Sequence, residues 1–195
     1  MMIGTFMIRW MLATLLVMFL VAGCDLFTTR HAQAPLETSD LCGPATSSDR
    51  VLDVLDCTLE FHMPEDYLAN FDRQNYSFVP DGAALSNHND LLPWGYDQEA
   101  SHIRRLLSDQ VVPMDSMVRA QFQEEESIEW ADSARYLETY TFHVGHVLEG
   151  IPREVSGRAE FIFARSIDGT WRIRWWRDEA VGDQATWSDI KALIR

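Results

Sequence analysis

From Trp10 to Ala22 the chain runs through thirteen residues, WMLATLLVMFLVA, with no charge and one polar interruption at Thr14. A helix needs about 20 apolar residues to cross a hydrocarbon core, so this run is too short for a permanent span. Extending it back to Met1 would draw Arg9 into the membrane, at a cost of about 2.5–3.5 kcal/mol near the centre. The run fits instead the apolar region of an export signal that is removed after use. Its charge comes late; counted from Met7, Arg9 would be the third residue, the more conventional arrangement. A domain preceded by such a signal folds from the residues after 23, in a compartment where disulfides persist.

The run ends in Val21-Ala22-Gly23-Cys24, which resembles the lipobox of bacterial lipoproteins. The resemblance implies that the Cys24 thiol receives a diacylglyceryl group and that the bond between Gly23 and Cys24 is cut. The competing readings are an ordinary signal peptide and an uncleaved anchor. A single acyl chain holds a protein only marginally, whereas two or more give durable attachment. Asp25 resembles the signal that keeps enterobacteria-like lipoproteins in the inner membrane, so the expected address is the cell envelope, facing the periplasm. Residues 24–47 carry small, polar and proline residues without periodicity and read as the lipidated cysteine and its flexible tether.

Acidic residues outnumber basic ones by 30 to 16. Beyond Gly23 the balance is 15 basic against 30 acidic, a net charge of −15. Nucleic acid is thereby excluded as a partner, since its phosphates need a basic face. The same charge argues against lying flat on an anionic leaflet, and in the bland reading it only keeps the domain soluble. Hydrophobic residues at 47% with seven tryptophans still supply a core, and the length suits one domain, 48–195.

Export makes Cys42 and Cys57 candidates for a disulfide. Ser47 or Ser48 reads as an N-cap and Asp49 to Phe61 as a helix. Val51, Leu52, Leu55 and Leu59 form its apolar stripe, and Cys57 falls opposite, among Asp49, Asp53, Asp56 and Glu60. A thiol there is well placed to clip the segment carrying Cys42; two free thiols are the alternative. Next come a short helix over PEDYLANF, an extended NYSFVPD, a small and polar loop DGAALSNHND, and a helix over Asp97–Ser108. Strands follow: residues 117–123, Tyr136–Val147, Val155–Arg165 and Thr170–Asp178, the last two a hairpin across Ile167-Asp168-Gly169. Thr186-Trp187-Ser188-Asp189 opens a short final helix in the manner of a capping box.

Helices followed by four antiparallel strands ending in GTWRIRWWRDE resemble the nuclear transport factor 2-like superfamily, which includes the SnoaL-like polyketide cyclases. The likeness covers about 48–180 and rests on the L…F…NYSF passage at 68–78, Trp94-Gly95, and Gly169-Trp171-Ile173-Trp175. It implies an α+β cone, a curved antiparallel sheet of about four strands wrapped on N-terminal helices, with a pocket at its mouth. Another α+β meander is the alternative. The family's enzymes use an inward Asp or His as acid or base, tuned by an apolar pocket. The resemblance makes His62, Tyr76, Tyr96, His102, Tyr140, Trp175 and Asp178 pocket candidates. Each has a bland reading: His62 as a helix cap, Trp175 packed on a face shared with Trp171 and Ile173, Tyr140 in core beside Tyr136 and Phe142, Asp178 solvated at a strand end.

No metal or nucleotide motif is present, and no cofactor is implied. His143 and His146 lie three apart on a strand and point to opposite faces. Glu124-Glu125-Glu126 reads as a solvated turn. The sequence therefore favours a membrane-tethered, non-catalytic domain that takes a small apolar ligand or an envelope protein. A cyclase- or isomerase-type enzyme is the rival. Family members often pair through their sheets, which makes a homodimer an option.

Overall fold

The computed structural model describes residues 39–195. The apolar run, the Gly23–Cys24 junction and most of the tether lie outside the described residues. Thr38–Arg195 forms one unit with its own continuous core, from Cys42 to Ile194.

A single turn, α1 (Ser39–Cys42), precedes a 3₁₀ turn at Ser48–Arg50 that runs into α2 (Val51–Glu60). As its periodicity requires, α2 buries Val51, Leu52, Val54, Leu55 and Leu59. Cys57 is bonded to Cys42, with their Cα atoms 5.7 Å apart, so the incoming segment is fixed to α2. Helix α3 (Pro64–Ala69) begins with proline in its first turn, where a missing N–H leaves nothing unpaired. Residues 81–90, expected as a loop, contain α4 (Gly82–Asn87) instead. The Asp81 carboxylate accepts from the amides of Ala83 (2.8 Å) and Ala84 (3.2 Å), a cap that overrides the composition. Helices α5 (Tyr96–Leu106) and α6 (Trp187–Leu193) complete the set. Thr186 and Asp189 close the expected capping box, with the Thr186 amide donating to Asp189 at 2.8 Å.

The sheet has six strands rather than about four: β1 (Ser77–Val79), β2 (Trp94–Gly95), β3 (Val118–Glu129), β4 (Ser133–Val144), β5 (Glu154–Arg165) and β6 (Trp171–Glu179). Their order is β2-β1-β6-β5-β4-β3, antiparallel except where β1 joins β6. The two uncounted strands are three and two residues long, too short to show alternation. In β4 the alternation is strict: Ala134, Tyr136, Glu138, Tyr140, Phe142 and Val144 face the core side.

Two bulges bend the sheet and re-aim side chains. One falls between Glu124 and Glu126. The glutamate run is therefore mid-strand, not a turn, and Glu125 and Glu126 meet Arg158 (3.0 Å) and Arg135 (3.4 Å). The other inserts Arg174, since Ile162 pairs with Trp175 while Phe163 pairs with Ile173. Beyond it the phase reverses. Ile173 and Trp176 point inward and are fully buried, and Trp175 is turned to the opposite face, where Arg177 lies 5.8 Å over its ring.

Candidate functional site

The interior holds a charge built from four elements. Glu99 of α5 is completely buried, and its carboxylate accepts from the Tyr67 hydroxyl (2.8 Å), the Tyr76 hydroxyl (2.9 Å) and the Trp94 indole N–H (2.8 Å). Its fourth partner is the ammonium of Lys191, the one lysine in the chain, also completely buried. Four rings surround that ammonium: Phe78 at 4.7 Å, Trp94 at 4.8 Å, Trp176 at 5.3 Å and Trp187 at 5.8 Å from its nitrogen. Their negative faces stabilise a cation that burial alone would expel. Burial also pushes the Glu99 carboxyl up, but the charge and hydrogen bond of Lys191 and the Trp94 N–H outweigh it and hold the group below the ordinary glutamate value. Glu99 is thus ionised and paired.

A second buried carboxylate anchors the start of α6. Tyr140 donates to Asp178 at 2.5 Å and accepts the Trp187 amide at 2.9 Å. The Ser188 amide (2.8 Å) and hydroxyl (2.6 Å) donate to the other Asp178 oxygen. Burial raises the Asp178 pKa, and these donors hold it back. A Cβ at Gly157 would stand 2.7 Å from the Tyr140 hydroxyl oxygen, so glycine on β5 opens the space this junction needs. Both acids therefore secure the C-terminal helix. Trp187 stacks on Phe142 at 4.3 Å and 18°, filling the inside of the sheet.

His102 lies edge-on between Trp94 and Trp187. Burial, and then Lys191, lower its pKa to about 4, so the ring is neutral at neutral pH. Its Nδ1 is 2.6 Å from the Ile194 carbonyl, which can only accept, so Nδ1 carries the proton. A cavity of about 130 Å³ reaches His102 and Trp94 from outside, beside Arg195.

Glu138 stands apart from both clusters. It is 3% exposed, on the core-side face of β4 between Tyr136 and Tyr140 and opposite Glu124. Burial first, then the charges of Glu124 and Glu125, push its carboxyl up to about 7.

Of the seven pocket candidates, Tyr76, His102, Tyr140 and Asp178 converge on this interior. Tyr96 sits outside it under the Arg73 guanidinium, at 5.7 Å. His62, in a left-handed turn (φ 53°), reaches the Ser116 carbonyl at 3.0 Å and ties down the loop before β3. Trp175 is on the far face of the sheet. His146 is buried against the Pro152 carbonyl (3.0 Å) and does not meet His143. Among the described residues no cluster of three His, Cys, Asp or Glu could hold a metal ion. Glu99, Lys191 and Glu138 went unnoticed in the sequence, although a lone lysine among fifteen arginines was a visible oddity.

No family model matches the chain, and no curated protein matches it. Solved structures do. A conserved protein from Planctomyces limnophilus superposes with a TM-score of 0.55 at 19% identity, covering 68% of this chain and 92% of that one. A nuclear transport factor 2-like superfamily protein from Salmonella enterica serovar Typhimurium gives 0.50 at 13% identity, covering 68% and 91%. A candidate aromatic ring hydroxylase from Novosphingobium aromaticivorans gives 0.53 at 13% identity, covering 81% and 99%. At such identities the likeness is one of fold: an α+β domain with the curved, unclosed sheet of the nuclear transport factor 2-like cone.

Proposed function

We propose that this chain is a membrane-tethered envelope lipoprotein whose cone domain is non-catalytic and works by holding a protein partner on its outer surface. The observation that carries this reading is the filled interior. Where a cone-fold pocket would take a substrate, Trp187 and Lys191 of the chain's own last helix occupy the space, and the acids there are consumed in holding them. A catalytic acid or base needs access to substrate and a proton to exchange; Glu99 and Asp178 have neither. The tether follows from the Val21–Cys24 motif and the apolar run before it.

Native mass spectrometry of the protein extracted from membranes in detergent tests both halves. The expected mass is residues 24–195 plus the acyl groups, with no small-molecule adduct, alone or with a stoichiometric protein partner. A stoichiometric apolar ligand would overturn the closed interior, and an unacylated Cys24 would overturn the tether.

One observation favours the rival, an acid–base enzyme. Glu138, with its pKa raised to about 7 beside Tyr136 and Tyr140, has the protonation behaviour of a general acid or base. The charged groups acting on it are the further glutamates Glu124 and Glu125.

A further inference from the structure

The uneven distribution of charge and apolar surface at one end of the sheet is unused by any role assigned above. The turns of two hairpins lie side by side there: Ser133 pairs with Ala164, and the Arg165 amide donates to the Asp132 carbonyl at 2.9 Å. Each turn carries a large apolar side chain into solvent, Trp130 at 54% exposure and Ile167 at full exposure. Beside Ile167 opens a groove of about 430 Å³ lined by Arg73, Arg165, Arg172 and Arg174, with Asp72 its one acidic liner. In a chain of net charge −14, four of sixteen basic residues converge on one depression. Arg172 is paired with Asp168 (2.6 Å) and Arg174 with Asp72 (3.4 Å), while Arg73 and Arg165 have no acidic partner among the described residues.

The chain also enters the domain at this end. The Trp171 amide, just past the second turn, donates to the Ala45 carbonyl at 2.8 Å, and Cys42 to Ala45 line a cavity with Thr170, Trp171 and Arg172. Only residues 25–38 separate Cys24 from the first described residue, a stretch that spans at most about 50 Å. Anchoring at Cys24 would thus hold this end of the domain near a bilayer surface, where even weak contacts act at high effective concentration.

We propose that this end is a membrane-docking face: the arginine groove takes the phosphate of an anionic phospholipid while Trp130 and Ile167 enter the headgroup layer. The inference rests on the tethered-lipoprotein reading. Tryptophan prefers that interface, and arginine presents its donors to phosphate in a fork. The net negative charge, which on its own speaks against an anionic leaflet, acts weakly at this face. Electrostatic interactions are screened over about 8 Å in physiological salt, so the groove's local charge governs. A bilayer explains the apolar tips and the basic groove together; a free phosphate would use only the groove.

The test uses the domain 38–195, which has its own core, with vesicles of phosphatidylcholine alone or with one-third phosphatidylglycerol, read by flotation. Binding is expected to the mixed vesicles only, weakened by raised salt. The double substitution Arg73→Gln, Arg165→Gln should lower the partition coefficient about 25-fold, from about fivefold per arginine near a charged surface. W130A should weaken it further, and both variants should keep the wild-type circular dichroism. Indifference to phosphatidylglycerol, or to these substitutions, would overturn the proposal. Release of the domain by submillimolar glycerol phosphate would also overturn it, by marking a soluble-anion site. The tether is judged separately by the mass of the native N-terminus: an acylated chain whose domain ignores vesicles keeps the anchor and loses the docking face.

Discussion

Lys191→Met isolates the interior charge. Methionine keeps most of the lysine's volume, so the packing against Phe78, Trp94, Trp176 and Trp187 survives and the ammonium alone is lost. Glu99 would then be a fully buried carboxylate facing only two hydroxyls and an indole N–H. Removing one partner of a buried pair costs about 3–5 kcal/mol, because the other charge remains desolvated. The cation's contact with four rings lies within that loss, at about 2 kcal/mol when desolvated. An overall loss of about 4 kcal/mol is a large part of the 5–15 kcal/mol that stabilises a typical domain. Glu99→Gln combined with Lys191→Met removes both charges while leaving an oxygen to accept from the tyrosines. The double variant should recover at least half of the K191M loss, about 2 kcal/mol, and so fall well short of the sum of the two single losses. Urea unfolding followed by circular dichroism at pH 7 reads all four members of the cycle. K191M should also regain stability on acidification, as the stranded Glu99 takes up a proton. A single variant within 1 kcal/mol of wild type, or a double variant whose loss is the sum of the singles, would refute the ion-pair reading.

The disulfide closes a loop of sequence separation 15, so Cys42→Ser with Cys57→Ser should cost about 3 kcal/mol in urea unfolding, and reductant should bring the wild type down to the variant while leaving the variant unchanged. His102 falls from an unfolded value of 6.5 to about 4, so the unfolded chain binds its proton first as pH drops. Stability should decline by about 3 kcal/mol between pH 6.5 and 4, and less steeply in H102Q. Glu138 behaves oppositely, rising from 4.5 to about 7, so its contribution is intact below pH 4.5 and lost as pH rises through 7. An effect of about 1–2 kcal/mol is expected: E138Q should be more stable than wild type at pH 8 and equal to it at pH 4.

The long strands, α2, α5 and the capping box of α6 were legible because each spans enough residues to show its period or carries a named cap. Cys42 and Cys57 were legible because a thiol among aspartates on the solvent face of α2 had no packing role. What escaped were effects without a local signature. Strands β1 and β2 exist only through pairing with β6 and with each other. Asp81 nucleates α4 in a stretch whose composition reads as loop. The Arg174 bulge turns Trp175 out and Trp176 in, and a strict period of two cannot anticipate it. Family resemblance points to Tyr76, His102, Tyr140 and Asp178, but their shared task depends on α6 lying across them. Burial of the chain's one lysine depends on that long-range contact, since Lys191 and Glu99 are 92 positions apart.

The closed interior is tested most directly by an amine-reactive acylating reagent at neutral pH, followed by peptide mapping by mass spectrometry. Lys191 is the one side-chain amine in the chain and is completely buried. It should stay unmodified in the folded domain under conditions that label it fully in urea. Rapid labelling of Lys191 in the folded protein would mean that α6 leaves the cone readily and that its interior is open to ligands after all.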